Sequence, residues 1–223
     1  MKYLSILILA TMVSIANSES LKKNERIVFL GDSITQGGAR PGGYVDLFKK
    51  KLSSDHSELG ATIIGAGISG NKVPDLQRRL ERDVLSKKPT LVFIYIGIND
   101  VWHWNRNKGT KKDVFEAGLK DIISKIEAKG ARVILCTPTV IGEKTGGSNK
   151  FDSMLEEYSS ISRGVAKATG SQLLDLRKSF MAHLHKSNTE NKDRGLLTRD
   201  TVHMNAEGNK FLARLFLGAV GIK

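Results

Sequence analysis

Four short segments of this 223-residue chain carry side chains whose chemistry could be combined at a single site. A serine hydroxyl, a histidine base and an orienting carboxylate are the groups needed for acyl transfer through a nucleophile. A glycine N–H and an asparagine amide can donate hydrogen bonds to the oxyanion that forms in such a reaction. In chain order the four segments span 31–35, with Ser33, 65–71, with three glycines, 97–100, with Asn99, and 200–203, with Asp200 and His203.

Five apolar runs of the sequence predict the strands that would hold these residues. The runs span 27–30, 61–64, 91–96, 133–136 and 173–176, and they are continuous rather than alternating, as in parallel strands covered on both faces. Ligands bind outside the carboxyl ends of such strands. The residues directly after the first three runs are therefore expected to meet at one edge of the sheet.

The segments between the strands have a helical period, with apolar residues recurring every three or four positions. Pro74 is well placed to start one helix, Gly130 to stop another, and Asn205 to cap the last. This alternation predicts an α/β fold, a three-layer α/β/α sandwich with a five-stranded parallel sheet and about six helices. We expect one domain over residues 24–223.

Composition narrows the function classes. The single cysteine, Cys136, excludes an internal disulfide and every cysteine-based zinc site, and its place in an apolar run predicts a buried core thiol. The net charge is +12, but the basic residues are scattered in pairs and triplets, which favours a solvated surface over nucleic-acid binding. We expect no metal, no cofactor and a monomer.

The N-terminal segment predicts export. Lys2 precedes an apolar run that ends at Ile15, and Ala16 and Ser18 supply small residues at a cleavage site. The run is too short to span a membrane, although a retained anchor remains the alternative. We expect residues 1–18 to be a signal peptide, the protein to be secreted or periplasmic, and no stable membrane insertion after cleavage.

Four blocks of sequence resemble those of the SGNH hydrolases, also called GDSL lipases or acylhydrolases. The blocks are GDSIT, GISGN, GIND and DTVH, in the family's order. The resemblance implies a flavodoxin-like SGNH fold with Ser33 as nucleophile, His203 as base and Asp200 as its orienting carboxylate. It assigns the oxyanion hole to the N–H groups of Ser33 and Gly70 and the Asn99 side chain. Gly65 departs from the family, whose members often have asparagine there, which puts a supporting loop hydrogen bond in question.

Several further residues allow two interpretations. Trp102 and Trp104 follow the third block and could wall the substrate pocket or stack on sugar rings, or they could pack under the loop. The segment 142–150 could be a lid or a loop without function. Asp32 and Asp100 are interpreted as loop-forming residues rather than as chemical groups.

The leading hypothesis is a secreted serine esterase acting through an acyl-enzyme on short-acyl esters, with carbohydrate O-acetyl esters as the favoured class of small-molecule or glycan substrate. A lysophospholipase or thioesterase using the same residues is the alternative within the enzymes. A non-catalytic module that binds carbohydrate or polyanions, and a flavodoxin-like phosphate or flavin binder, are the alternatives of other classes.

Overall fold

The centre of the molecule is a five-stranded parallel sheet, described by a computed structural model that covers residues 20–223. The strand order is β2-β1-β3-β4-β5, so the chain adds strands on both sides of β1. The strands are β1 (Arg26–Gly31), β2 (Thr62–Gly67), β3 (Leu91–Tyr95), β4 (Arg132–Cys136) and β5 (Gln172–Leu174).

Helices cover both faces of this sheet. Helices α2 and α8 contact each other, while α5 packs between α3 and α6. The predicted α/β/α sandwich is thereby confirmed. The helices are α1 (Ser33–Gly38), α2 (Tyr44–Asp55), α3 (Val73–Asp83), α4 (Ile98–Trp102), α5 (Lys112–Glu127), α6 (Asp152–Thr169), α7 (Leu176–Ser187) and α8 (Ala206–Ala219).

Aromatic side chains bind α2 and α8 to the sheet. Phe29 of β1 and Phe93 of β3 stack with ring centroids 4.8 Å apart. Phe216 of α8 meets both rings, and Tyr44 of α2 stacks on Phe216 at 4.9 Å. Each such pair contributes about 0.5–1.5 kcal/mol beyond the burial of its surface. This cluster fixes the start of α2 against the first strand, close to the residues that follow β1.

The register of the sheet brings three strand ends to one level. Gly31, the last residue of β1, pairs with Gly67 of β2 and with Tyr95 of β3. The chain therefore leaves all three strands at the same edge. Ser33, the segment 68–71 and Asn99 all emerge there, as the apolar runs predict.

The structure differs from the sequence-based expectation at four elements. The run 173–176 is a strand only to Leu174, because Asp175 caps α7 by accepting a hydrogen bond from the N–H of Lys178. Helices α1 and α4 have only six and five residues, which is too few to show a helical period. Strand β2 extends to Gly67 rather than ending at residue 64.

The predicted signal peptide lies outside the described residues. Within residues 20–223, no helix is long and apolar enough to cross a membrane.

Candidate active site

Three of the residues singled out by sequence form a continuous chain of hydrogen bonds. Nε2 of His203 lies 2.9 Å from Oγ of Ser33, and Nδ1 of His203 lies 2.8 Å from Oδ2 of Asp200. Because an ionised carboxylate can only accept, Nδ1 carries the imidazole proton and Nε2 is left to accept one. This arrangement can take the proton from the Ser33 hydroxyl while Asp200 holds the ring in place.

The turn between β1 and α1 presents Ser33. Asp32 is the N-cap of α1, and its Oδ1 accepts a hydrogen bond from the N–H of Ile34 at 2.9 Å. Ser33 is the first helical residue, and its own N–H therefore has no acceptor within the helix. Its hydroxyl and its N–H both belong to the edge where the strands end.

Asp200 is held by the backbone of the residues that follow it. Its Oδ1 accepts hydrogen bonds from the N–H groups of His203 at 2.7 Å and Val202 at 3.2 Å. Partial burial opposes ionisation of Asp200, but these bonds and the one from the imidazole outweigh burial, so the pKa of the carboxyl lies below its usual value. The carboxylate is therefore charged wherever the site could operate as a base.

Gly70 and Asn99 supply hydrogen-bond donors at the neighbouring strand ends. Gly70 has φ +77°, a conformation that favours glycine, and within residues 20–223 its N–H has no acceptor. Asn99 is only 4% exposed, and its Nδ2 donates to the carbonyl of Asn71 at 3.1 Å and lies 3.4 Å from Oδ2 of Asp32. The longer contact is the weaker, so a substrate oxygen that replaced it could accept this amide hydrogen.

Two carboxyls are buried behind these donors. Burial raises the pKa of Asp32 to about 7, with the nearby charge of Asp100 adding to the effect and the N–H of Ile34 opposing it. Burial also raises the pKa of Asp100 to about 6, although its Oδ1 accepts a hydrogen bond from the N–H of Val73 at 3.1 Å. Both side chains accept hydrogen bonds from backbone N–H groups at helix starts, Ile34 of α1 and Val73 of α3, so both have a structural role in the turns that lead into these helices.

A cleft of about 230 Å³ opens beside Ser33 and His203. Glycine and proline form much of its wall, and two arginines stand beside it. The volume is small compared with the 300–1,000 Å³ of pockets for drug-sized ligands, so the cleft suits a short group. Its lining is Ser33, Ile34, Gly37, Gly38, Arg40, Pro41, Gly42, Gly43, Arg199, His203, Met204 and Asn209.

Neither tryptophan lines this cleft. The indole N–H of Trp104 donates to the hydroxyl of Tyr158 at 3.3 Å, and its ring lies against Gly109 so closely that a Cβ there would be 2.2 Å away. Trp102 is partly buried against the core. Trp104 thus has a packing role, and stacking of either ring on a substrate stays a prediction.

The segment 142–150, the candidate lid, is tied to the rest of the chain. The N–H of Thr145 donates to Oδ1 of Asn191 at 2.8 Å, and Nδ2 of Asn188 donates to the carbonyl of Glu143 at 2.8 Å. Glu143 is fully buried. These contacts anchor the segment against residues 188–198.

Arg79 of α3 is a site residue that the sequence analysis missed. Its guanidinium is 7% exposed and donates to the carbonyls of Gly31 at 2.7 Å and Ala66 at 2.9 Å, and to Oδ1 of Asn71 at 2.7 Å. It thereby joins the ends of β1 and β2 to the segment that carries Gly70. Arg79 comes three residues after the buried Leu76 and so lies on the apolar side of the helix. This spacing could have predicted from the sequence that its guanidinium is buried.

The space at Gly65 explains the departure from the family pattern. A Cβ at this position would lie 2.7 Å from the Cβ of Ala39, so an asparagine side chain would displace the chain after α1. The loop that follows β2 is instead supported by Arg79, through Asn71.

Cys136 is a free, buried thiol, as predicted, and burial raises its pKa. Within residues 20–223, no three His, Cys, Asp or Glu side chains are grouped as metal ligands.

Comparison with known proteins identifies relatives over nearly the whole chain. The model of the GDSL-like lipase/acylhydrolase family matches residues 29–211. An acetylxylan esterase from Geobacillus stearothermophilus is 33% identical over 218 residues, which is 89% of this chain and 95% of the relative.

Solved structures agree with these matches. The crystal structure of the acetyl xylan esterase AlAXEase has a TM-score of 0.85 and 46% identity, covering 87% of this chain and 99% of its own. Axe2, an acetylxylan esterase from Geobacillus stearothermophilus, has a TM-score of 0.81 and 31% identity, covering 92% of this chain and 97% of its own. Three Axe2 structures are described as catalytic mutants, with a serine, an aspartate or a histidine replaced by alanine.

Proposed function

Since this chain belongs to the GDSL-like lipase/acylhydrolase family and is a serine carboxylic-ester hydrolase, we propose that it removes acetyl groups from acetylated xylan or a similar glycan. The observation that carries the proposal is the pair of hydrogen bonds from Asp200 through His203 to Ser33, at 2.8 and 2.9 Å, beside a small cleft. Relatives named acetylxylan esterases support the choice of substrate.

In the first half of the reaction, Oγ of Ser33 attacks the carbonyl carbon of the acetyl ester while Nε2 of His203 takes the hydroxyl proton. Asp200 stabilises the imidazolium that results. The negative charge on the carbonyl oxygen is stabilised by the N–H groups of Ser33 and Gly70 and the amide of Asn99. When the tetrahedral intermediate breaks down, the imidazolium gives its proton to the departing sugar oxygen and an acetyl group remains on Ser33.

In the second half, water replaces the sugar. His203 takes a proton from the water, and the hydroxide adds to the acetyl carbonyl in the same oxyanion site. Collapse of that intermediate breaks the bond to Oγ, which recovers the proton from His203, and acetic acid leaves and then ionises to acetate in water. The aspartate and the histidine replaced in two of the Axe2 catalytic mutants are three positions apart, as are Asp200 and His203 here.

The cleft beside Ser33 favours a short acyl group. Apart from Ile34 and Met204 it is lined by glycine, proline and polar residues. In an apolar tunnel, each buried methylene of the acyl chain would contribute about 0.8 kcal/mol to binding. This cleft has few apolar side chains that could make such contacts. A lysophospholipase or a long-chain thioesterase would need an extended apolar surface to bind its acyl chain.

A panel of esters tests the proposal. We expect kcat/KM over p-nitrophenyl esters of two to twelve carbons, measured below micelle formation, to be greatest from acetyl to butyryl. A fluorophosphonate should form its covalent adduct at Ser33. A maximum at eight carbons or beyond would favour the lysophospholipid alternative. An adduct at another residue would show that Ser33 is not the nucleophile.

We also propose that the protein is exported after cleavage of residues 1–18. The charged start, the short apolar run and the small residues before position 19 support this. Sequencing the N-terminus of the protein from the medium or periplasm should give Glu19 as the first residue. Recovery of the chain from the cytoplasm with Met1 or Lys2 at its start would contradict export.

A further inference from the structure

The carboxylate of Glu143 lies between the chain after β4 and the chain that leads to Asp200. Its side chain is 0% exposed. Oε2 accepts a hydrogen bond from the N–H of Leu196 at 2.8 Å, and Oε1 accepts from Leu197 at 2.8 Å and from Thr198. One side chain thus holds three consecutive backbone donors, from residues 53 to 55 positions away.

No cation shares this site. Within residues 20–223, no ion pair reaches Glu143, so its charge is compensated by N–H groups. Hydrogen bonds from backbone donors to an ionised acceptor are about twice as strong as neutral ones, but a buried charge that loses them is costly. The segment 196–198 is therefore fixed to Glu143 through three backbone N–H donors.

The fixed segment is the base of the loop that carries the catalytic pair. The N–H of Asn205 donates to the carbonyl of Leu197 at 2.9 Å, and the N–H of Arg199 donates to that of His203 at 2.9 Å. Thr198 and Met204 form an isolated antiparallel bridge. Asp200 and His203 project from the tip of this closed loop.

The residue before Glu143 acts on the tip itself. The N–H of Gly142 donates to the carbonyl of Thr201 at 2.8 Å. Thr201 lies between Asp200 and His203 and has φ +80°, a conformation that is an outlier for a β-branched residue. Such a backbone persists only where surrounding contacts impose it. Gly142 and Glu143 together contact both the base and the tip of the loop.

We propose that Glu143 is a positioning residue that holds Asp200 and His203 in line with Ser33. It touches no reacting atom and acts through the backbone of residues 196–198, with Gly142 holding Thr201. The segment 142–150 is on this account a support for the catalytic loop and not a lid. The proposal rests on the proposed function, because it assigns Glu143 a role only if Asp200 and His203 do the chemistry.

The first test is Glu143→Gln. A glutamine has the same shape, but its NH₂ group would face a backbone N–H where a carboxylate oxygen now accepts. We expect kcat to fall by up to about 10²-fold with KM nearly unchanged, since displacement of a catalytic group by about 1 Å has that effect. Rates are counted per site titrated with a fluorophosphonate, so that unfolded protein does not contribute.

Glu25→Gln is the matched control. Glu25 is also a buried glutamate, 4% exposed, but it pairs with Arg132 at the opposite edge of the sheet. We expect this variant to lose stability and to keep its kcat per titrated site. If Glu143→Gln loses no more kcat than Glu25→Gln, Glu143 is a structural residue only and the proposal is wrong.

Hydrogen exchange of the wild-type protein keeps the proposal testable if Glu143→Gln does not fold. The amides of Leu197 and Thr198 should exchange as slowly as those of the central strands, because a buried carboxylate holds them. Exchange as fast as in an exposed loop would overturn the proposal. Ser33→Ala separates the two claims, because ester turnover retained in that variant would contradict the proposed function whatever the behaviour of Glu143.

Discussion

In the proposed mechanism, Asn99 is a neutral side chain positioned in advance for the brief negative charge of the oxyanion. Its Nδ2 is held by the carbonyl of Asn71 at 3.1 Å, and its contact with Oδ2 of Asp32 at 3.4 Å is the weaker bond that an oxyanion would replace. A donor whose position is fixed in advance needs little reorganisation when the oxyanion forms. The amide itself does not titrate, unlike the carboxyl of Asp32 that it contacts.

We predict that Asn99→Ala lowers kcat by about 10²–10³-fold with little change in KM. The donor acts mainly on charge that develops in the transition state, so ground-state binding should be preserved. Initial-rate kinetics with an acetyl ester measure both parameters, and Asn105→Ala, an exposed asparagine six residues on, is the control. An increase in KM alone would mean that Asn99 binds the substrate and not the transition state.

Asp32 makes stability depend on pH in a defined direction. An unfolded aspartate releases its proton near pH 4, whereas burial keeps the folded residue protonated up to about pH 7. Between these values the folded state binds more protons, so the stability that this group contributes at low pH is lost as the pH rises through 7. The free energy of unfolding that Asp32 contributes at low pH, and that is lost above pH 7, is at most ~4 kcal/mol.

We therefore predict that the melting temperature falls between pH 5 and pH 8, and that the fall is smaller in Asp32→Asn. The asparagine keeps an oxygen for the N–H of Ile34 and has no proton to release in this range. Thermal unfolding of both proteins over these pH values gives the comparison. Parallel curves for the wild type and the variant would show that Asp32 does not titrate in this way.

At the scale of elements, α3 stabilises the site from behind. Arg79 reaches from this helix to the carbonyl ends of β1 and β2 and to Asn71, whose carbonyl in turn accepts from Asn99. A planar guanidinium with five donors can make these bonds together, which a lysine ammonium cannot. The helix thereby sets the distance between the Ser33 turn and the loop that carries Gly70.

Arg79→Lys should lower the free energy of unfolding by about 2–4 kcal/mol and reduce kcat, because buried carbonyls lose their donors and the oxyanion loop loosens. Urea denaturation and acetyl-ester kinetics measure the two effects. Arg78→Lys is the control, since its side chain is 70% exposed and pairs with Asp75 at the surface. If the two variants had the same free energy of unfolding and the same kcat, Arg79 would not be a residue that supports the site.

The elements also show what the sequence could and could not predict. Continuous apolar runs locate the strands, and the ends of parallel strands must share an edge, so the meeting of Ser33 and Asn99 follows from local pattern. Asn205 was identifiable as a cap, and it accepts from the N–H of Gly208. The bonds from Glu143 could not be predicted, because they join segments more than 50 positions apart and obey no local period.

At the scale of the whole molecule, the strand order places the site. From β1 the chain first adds β2 on one side and then crosses to add β3 on the other. The connections that leave β1 and β3 therefore diverge, and a crevice opens at their carboxyl ends. Ser33 follows β1 and Asn99 follows β3, so the proposed nucleophile and one proposed oxyanion donor lie on the two sides of this crevice.

The charge of the molecule is distributed over its helices. The net charge is +12, and several lysines form ion pairs with acids four residues away on the same helix, such as Lys50 with Asp46 and Lys120 with Glu116. Exposed pairs of this kind contribute at most about 0.5 kcal/mol each. Arg40 and Arg199 line the cleft beside Ser33 and His203.

The central claim is that Ser33 removes acetyl groups from a glycan, and acetate release from acetylated xylo-oligosaccharides tests it most directly. The wild-type protein should release acetate with turnover, and Ser33→Ala should reduce the rate by at least about 10³-fold while its circular dichroism stays unchanged. Retention of more than a few per cent of the rate by a folded Ser33→Ala variant, or no acetate release by the wild type, would contradict the account.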